Sequence, residues 1–456
     1  MGKAAATAAA AQYFDSGQFQ TELAAMLAHP TTSQVAEAGG RLSIYLSEQI
    51  EPRLVAIGCD VLLYDNPDPA GGPFLTATRH EDTAKPTVLI YGHGDVTHGQ
   101  AGEWANEMDP FVLLQDGDRL YGRGTADNKG QHLINIAALE AVLQSQGHLG
   151  FNVKIVMEMS EEIGSPGLGA FFEAQKELLS ADVLIASDGP RLQPDRPTMF
   201  MGSRGAVDFD LTVDLREGAH HSGNWGGLLA DPVQMLSHAI STICDAHGQL
   251  QIEAWKPDSL TPAVRAALDG LPILSDSGPQ IDPDWGEATL TPAERAYAWN
   301  SFAVLAISSG DINAPQNAIN GSARARCQLR FVVGTDTDQI VPALRQHLID
   351  HGFGNVQVSE PEGAFQATRL DPDHPWVARV AASITDTTGQ IPHILPNLAG
   401  SLPNACFTEI LELPTVWVPH SYRGCSQHAP NEHVLKSTCR DALILMAGLW
   451  FDIGHG

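Results

Sequence analysis

The stretch Thr87-Val-Leu-Ile-Tyr91-Gly-His93-Gly-Asp95 decides the reading of this chain. It is a short apolar run that closes on a histidine and an aspartate, as a buried strand with a polar carboxyl end would. Two further runs have the same character, Val153-Lys-Ile-Val-Met157 and Asp182-Val-Leu-Ile-Ala186. Between the first two lies Gly130-Gln-His-Leu-Ile-Asn-Ile-Ala-Ala-Leu-Glu-Ala-Val-Leu143, whose apolar residues recur at helical spacing. Strands alternating with helices predict βαβ units. Thr415-Val-Trp-Val418 and a helix through Ala442-Leu-Ile-Leu-Met-Ala447 resume the pattern near the end. The predicted fold class is α/β, an open and mostly parallel sheet with helices on both faces.

The middle of the chain has a different period. Gly205-Ala-Val-Asp-Phe-Asp-Leu-Thr-Val-Asp-Leu215 alternates apolar and polar residues, and Arg324-Ala-Arg-Cys-Gln-Leu-Arg-Phe-Val-Val333 does likewise. Such alternation marks half-exposed antiparallel strands. Helical segments follow each, after Asp231 and after Thr337, and a Pro/Gly/Asp-rich stretch over residues 256–295 reads as loop with short helices. An α+β domain inserted into the α/β domain accounts for both periods. The division is residues 1–200 and 366–456 for the α/β domain and 201–365 for the insert. Within the insert Val233, Leu236 and Ile240 form an apolar helical stripe, read as core.

Length and charge narrow the function. At roughly 100–200 residues per domain, 456 residues predict two or three units. With 26 Lys+Arg against 54 Asp+Glu the net charge is −28, a surface that repels phosphate backbones and anionic lipid. No nucleic-acid or membrane partner is expected, and no run approaches the ~18 apolar residues of a membrane span. Six cysteines without a Cys-x-x-Cys pair read as reduced thiols of a cytoplasmic protein. The Ala-rich start, Ala4 to Ala11, reads as a frayed helix rather than a leader.

The chemistry-bearing residues gather at strand ends. His93-Gly-Asp95 follows the first strand, Glu158-Met-Ser-Glu161-Glu162 the second, and Ser187-Asp188-Gly-Pro190 the third. Tyr121-Gly-Arg-Gly-Thr-Ala-Asp127-Asn-Lys-Gly130 precedes the long helix. Ligands of open α/β sheets collect outside the carboxyl ends of strands. Imidazole and carboxylate donors without thiolate suit Zn²⁺, with Mn²⁺ or Co²⁺ as alternatives. Asp95, two residues beyond His93, is set to hold the imidazole's other ring nitrogen. Glu161 and Glu162 point to opposite sides, so one suits a metal and the other water. Each piece has a plainer reading: Asp127 as a helix cap, the glutamate pair as a solvated face. Gly122-Arg-Gly124 lacks the Gly-Lys-Ser/Thr of a phosphate loop.

Taken in order, these motifs resemble the co-catalytic di-zinc amidohydrolases that include glutamate carboxypeptidase, acetylornithine deacetylase, aminoacylase and the carnosine-type dipeptidases. The resemblance runs from about residue 30 to the end. The dipeptidase branch is nearest, through Glu161-Glu-Ile-Gly-Ser-Pro-Gly167 and His221-Ser-Gly-Asn-Trp-Gly-Gly227. It implies that Asp127 bridges two Zn²⁺, that His93 and Asp188 complete one site, and that Glu162 and His428 complete the other. Spacing alone does not separate His428 from His420 and His433. It further implies a cis bond at Asp127–Asn128, Asp95 behind His93, and Glu161 as the general base toward a metal-bridging water. His221 would donate to the oxyanion across a homodimer formed by the inserted lid and dimerisation domain, with His220 as competitor. Arg330 would hold the substrate carboxylate, and Ser401 would be a further substrate-binding residue.

Two departures bear on the substrate. Asn317-Ala-Ile-Asn320 stands where relatives read Asn-x-Ile-Pro, and Leu398-Ala-Gly-Ser401 where many peptidases carry Glu-Gly-Gly-Ser. The expected activity is zinc-dependent hydrolysis of an amide bond in a small peptide, by a dipeptidase or carboxypeptidase. The alternatives are deacylation of an N-acyl amino acid and a metal-free binding protein on the same fold.

Overall fold

In the computed structural model, which describes residues 2–35, 39–273 and 279–455, Thr87–His93 is a central strand of an eight-stranded sheet. In chain order its strands are β1 (Asp60–Tyr64), β2 (Phe74–Arg79), β3 (Thr87–His93), β4 (Asn152–Glu158), β5 (Val183–Ala186), β6 (Thr198–Phe200), β7 (His393–Leu395) and β8 (Thr415–Trp417). Across the sheet they run β1-β2-β4-β3-β5-β8-β6-β7. The central four, β4, β3, β5 and β8, are mutually parallel, while β1 and β2 join antiparallel at one edge. The sheet is thus open and mostly parallel, with helices on both faces.

Both faces are buried, which explains why β3 and β5 read as unbroken apolar runs. Val88 and Ile90 turn toward the helices Lys3–Asp15, Lys129–Gln146 and Lys436–His455. Leu89 and Tyr91 turn the other way, among Phe172, Phe407 and Trp417. Burial of one such side chain contributes roughly 1.5–3 kcal/mol. The Ala-rich start is not frayed. It forms the regular helix Lys3–Asp15, with Ala6 and Ala10 fully buried and the helix lying against Lys436–His455. Alanine gives that helix its propensity, and close approach to a partner helix gives it permanence. Among the described residues no helix is long and apolar enough to cross a membrane.

The antiparallel strands form a second sheet with its own core. Gly205–His221, Ser301–Ser308 and Ala318–Phe331 pair with Phe209 opposite Cys327 and Leu211 opposite Ala325. The first of them runs six residues past the predicted Leu215, through a register shift between Asp214 and Ala219. One face packs on the helices Pro232–Ile243 and Ile340–Asp350, the former capped by Asp231, which accepts from the N–H of Val233 and Gln234. Leu236 is buried there, and Val233 and Ile240 are half-buried on the same core. The other face carries Asp208, Asp210, Arg326, Gln328 and Arg330. The stretch 256–295 holds the short helices Pro262–Leu268 and Pro292–Tyr297, and its residues 274–278 lie outside the described residues.

Candidate active site

Strands β3, β4 and β5 end side by side and deliver polar residues at one edge of the sheet. His93 is the last residue of β3, the turn Glu161–Ile163 follows β4, and Asp188 follows β5. Asp127 sits in the tight turn before the helix Lys129–Gln146, and the Asp127–Asn128 peptide is cis. Glycine is needed at position 130, because a Cβ there would collide with the Thr125 carbonyl. His428 arrives from the loop after β8.

Five side chains form two groups that share Asp127. Donor atoms of His93, Asp127 and Asp188 lie within 4.8 Å of one another, and so do those of Asp127, Glu162 and His428. The two oxygens of Asp127 face different imidazoles: Oδ1 is 2.9 Å from His93 Nε2, and Oδ2 is 2.8 Å from His428 Nε2. His428 Nε2 is also 3.0 Å from Glu162 Oε2. Asp188 Oδ2 is buried, receives no hydrogen bond, and stands 3.5 Å from His93 Nε2. Three carboxyl groups and two imidazoles make an acidic pocket, a donor set suited to divalent cations.

The surroundings fix these groups. Asp95 is fully buried, with Oδ1 3.3 Å from His93 Nδ1, and it accepts from the N–H of Glu161 and Glu162 at 3.2 and 3.1 Å. One carboxylate therefore orients the imidazole and the glutamate turn together. Glu432 does the same for the turn carrying Asp127. Its Oε1 accepts from the N–H of Gly124, Ala126 and Asp127 at 3.1, 2.9 and 3.1 Å, and its Oε2 from Arg123 at 2.7 Å. Lys129, buried at the helix start, donates to the carbonyls of Met26 and His29.

The charges shift one another. Burial opposes a charge on His93, but the surrounding carboxylates of Asp127, Asp188 and Asp95 hold its pKa well above the ordinary imidazole value. His428 behaves alike: burial pulls down, and Asp127 and Glu162 push it up to about 11. Burial raises Glu161 well above the carboxylate range despite the nearby His93, and Asp188, Glu162 and Asp127 add to the rise. Burial and the Asp127 charge take Glu162 up to about 7 against the pull of His428. Asp127 goes the other way. Burial would raise it, yet the imidazoles of His428 and His93 hold it far below normal.

The acid cluster forms one end of a cavity of about 570 Å³, which Arg330, Ser401 and Asp208 also line. Arg330 Nη1 donates to Ser401 Oγ at 3.0 Å. His221 lies elsewhere. It ends the strand Gly205–His221, is exposed, and its Nδ1 accepts from the Gly223 N–H. His420 and His433 also have other partners: His420 is buried against Ser187 Oγ at 2.9 Å, and His433 meets the Tyr422 hydroxyl at 2.6 Å. Several site residues escaped the sequence reading. Gln427 donates to Asp127 Oδ2, and Arg423 and Tyr297 line the cavity. Gln427 could have been suspected from its place beside His428; Tyr297 had no sequence signal.

Comparison with known proteins identifies the family. The model of peptidase family M20/M25/M40 matches residues 89–452. A cysteinylglycine-S-conjugate dipeptidase of Corynebacterium striatum is 28% identical over 367 residues, 78% of this chain and 77% of its own. A beta-Ala-His dipeptidase of Homo sapiens is 24% identical over 402 residues, covering 84% and 78% respectively. The crystal structure of an M20 family metallo-carboxypeptidase, Sso-CP2 from Sulfolobus solfataricus, superposes with a TM-score of 0.81 at 25% identity, over 96% of this chain and 99% of that one.

Proposed function

This chain belongs to the peptidase family M20/M25/M40 and is a metal-dependent hydrolase of dipeptides; from that premise we propose that it works through two zinc ions held by His93, Asp127, Glu162, Asp188 and His428. The observation that carries the assignment is the sharing of Asp127 between two donor groups. The unpartnered buried oxygen of Asp188 and the excess of carboxylate over imidazole also fit a pair of cations. Mn²⁺ and Co²⁺ suit the same donors. Bound there, the ions supply Lewis-acid polarisation of the scissile carbonyl and bring the pKa of water toward neutrality.

The remaining steps fall to side chains. Glu161 takes the proton of the attacking water and returns it to the amide nitrogen as the C–N bond breaks, leaving a carboxylate and a free amine. Asp95 keeps His93 oriented. Arg330, its fork steadied by Ser401, takes the substrate carboxylate.

His221 is assigned to the cavity of a second copy, where it donates to the oxyanion. The homodimer would form through the inserted domain, residues 201–365, whose strand Ser301–Ser308 exposes Val304, Leu305 and Ile307. A cytoplasmic location belongs to the same proposal.

The test is turnover of a dipeptide panel beside the matching N-acetyl amino acids. Dipeptides are expected to be cleaved and the acetylated series to be poor. Exclusive deacylation would overturn the assignment.

A further inference from the structure

We propose that Asp208 selects dipeptides whose carboxyl-terminal residue carries a cationic side chain, lysine or arginine in class. The inference rests on the assignment of Arg330 to the substrate carboxylate. Among the described residues lining the cavity, Asp208 is the one carboxylate apart from the metal-binding groups and Glu161. It reaches the cavity from the second sheet, on the same face as Arg330.

Strand register sets the spacing. Asp208 lies opposite Gln328, and Ala206 lies opposite Arg330, so Asp208 and Arg330 are diagonal neighbours. Such neighbours stand about 7–8 Å apart at the backbone, so the two charged groups lie on one wall within reach of the two ends of an extended lysine. Gln328 bridges the two: its Oε1 accepts from Arg330 Nε at 3.1 Å, and its Nε2 donates to Asp208 Oδ1 at 2.9 Å. Both charged groups are thereby held on one wall. The cation beside Asp208 Oδ2 is Arg326 at 3.7 Å, beyond hydrogen-bond reach. Arg326 stands nearer Asp210, at 3.4 Å. Asp208 is 29% exposed, enough to meet a ligand.

A substrate anchored at Arg330 by its carboxylate therefore extends its carboxyl-terminal side chain past a fixed negative charge. A cation there gains a second charge partner in Asp208, a neutral chain gains none, and an anion is repelled.

The experiment uses the metal-loaded enzyme with Ala-Lys and Ala-norleucine, which differ in one charge at the end of similar chains. The wild type should favour Ala-Lys in kcat/KM by about five- to tenfold. Asp208→Asn should bring the ratio near unity, and Asp208→Lys should turn the preference toward Ala-Glu. Calorimetry of free lysine and norleucine binding to the metal-free protein should give the same ordering without turnover, lost in Asp208→Asn. A wild-type ratio near unity, or a preference unmoved in Asp208→Asn, overturns the proposal. If neither dipeptide is cleaved while lysine still binds preferentially through Asp208, the dipeptidase assignment fails and the role of Asp208 stands.

Discussion

Arg123 and Glu432, 309 positions apart in the chain, form an ion pair at 2.7 Å with each side chain only 1% exposed. Through Glu432 the pair ties the loop that carries His428 to the backbone of the turn that carries Asp127. Burial of two charges is worthwhile only when every oxygen is satisfied, and here both oxygens of Glu432 are.

Removing that charge should loosen the metal site from behind. Glu432→Gln leaves Arg123 buried without its partner, so a loss of about 3–5 kcal/mol in stability is expected, with weaker metal retention. Thermal unfolding and dialysis against a chelator check both. Unchanged metal affinity would mean that the turn holds its shape without the clamp.

Glu161→Gln should abolish turnover while leaving fold and metal content nearly intact, because Glu161 belongs to neither donor group. The amide keeps the shape of the side chain and cannot carry the proton. Metal analysis beside kcat separates this from a structural defect. A near-normal rate would move the base to another residue.

His221→Ala should lower kcat more than it raises KM, since an oxyanion donor acts mainly in the transition state. Mixing this variant with Glu161→Gln should restore part of the activity, because one kind of site in the mixed dimer is then complete. No recovery, once subunit exchange has been demonstrated, would count against sharing.

Acid sensitivity should have an identifiable source away from the site. His393, in β7, is 6% exposed; burial first, and the Arg196 charge second, pull its pKa down to about 4. Its unfolded value is about 6.5, so between these values the unfolded chain binds the extra proton. Stability must then fall as pH drops through that window, by roughly 1–3 kcal/mol. His393→Gln should flatten that part of the profile in urea unfolding. An identical slope in the variant would refute the assignment.

Much of the sheet was legible because β3, β4 and β5 are buried on both faces and therefore read as apolar runs. The edge strand β1 was not: Asp60-Val-Leu-Leu-Tyr64 leaves Leu62 and Leu63 exposed, so no burial pattern marks it. The strand Ser301–Ser308 is mostly exposed on both faces and carries no alternation either. At the site, strand ends pointed to His93, the glutamate pair and Asp188. His428 needed family resemblance, because three histidines lie within a short stretch and only tertiary contacts distinguish them. Glu432 went unassigned because its partners are backbone N–H groups and an arginine 309 positions away, which leave no trace in sequence. Arg123 was read only as part of a glycine turn.

The most direct measurement is anomalous diffraction from crystals of the zinc-loaded protein, recorded at the zinc edge. Two peaks are expected in each chain, one among His93, Asp127 and Asp188 and the other among Asp127, Glu162 and His428. An active crystal form with no anomalous scatterer touching Asp127 would contradict the account.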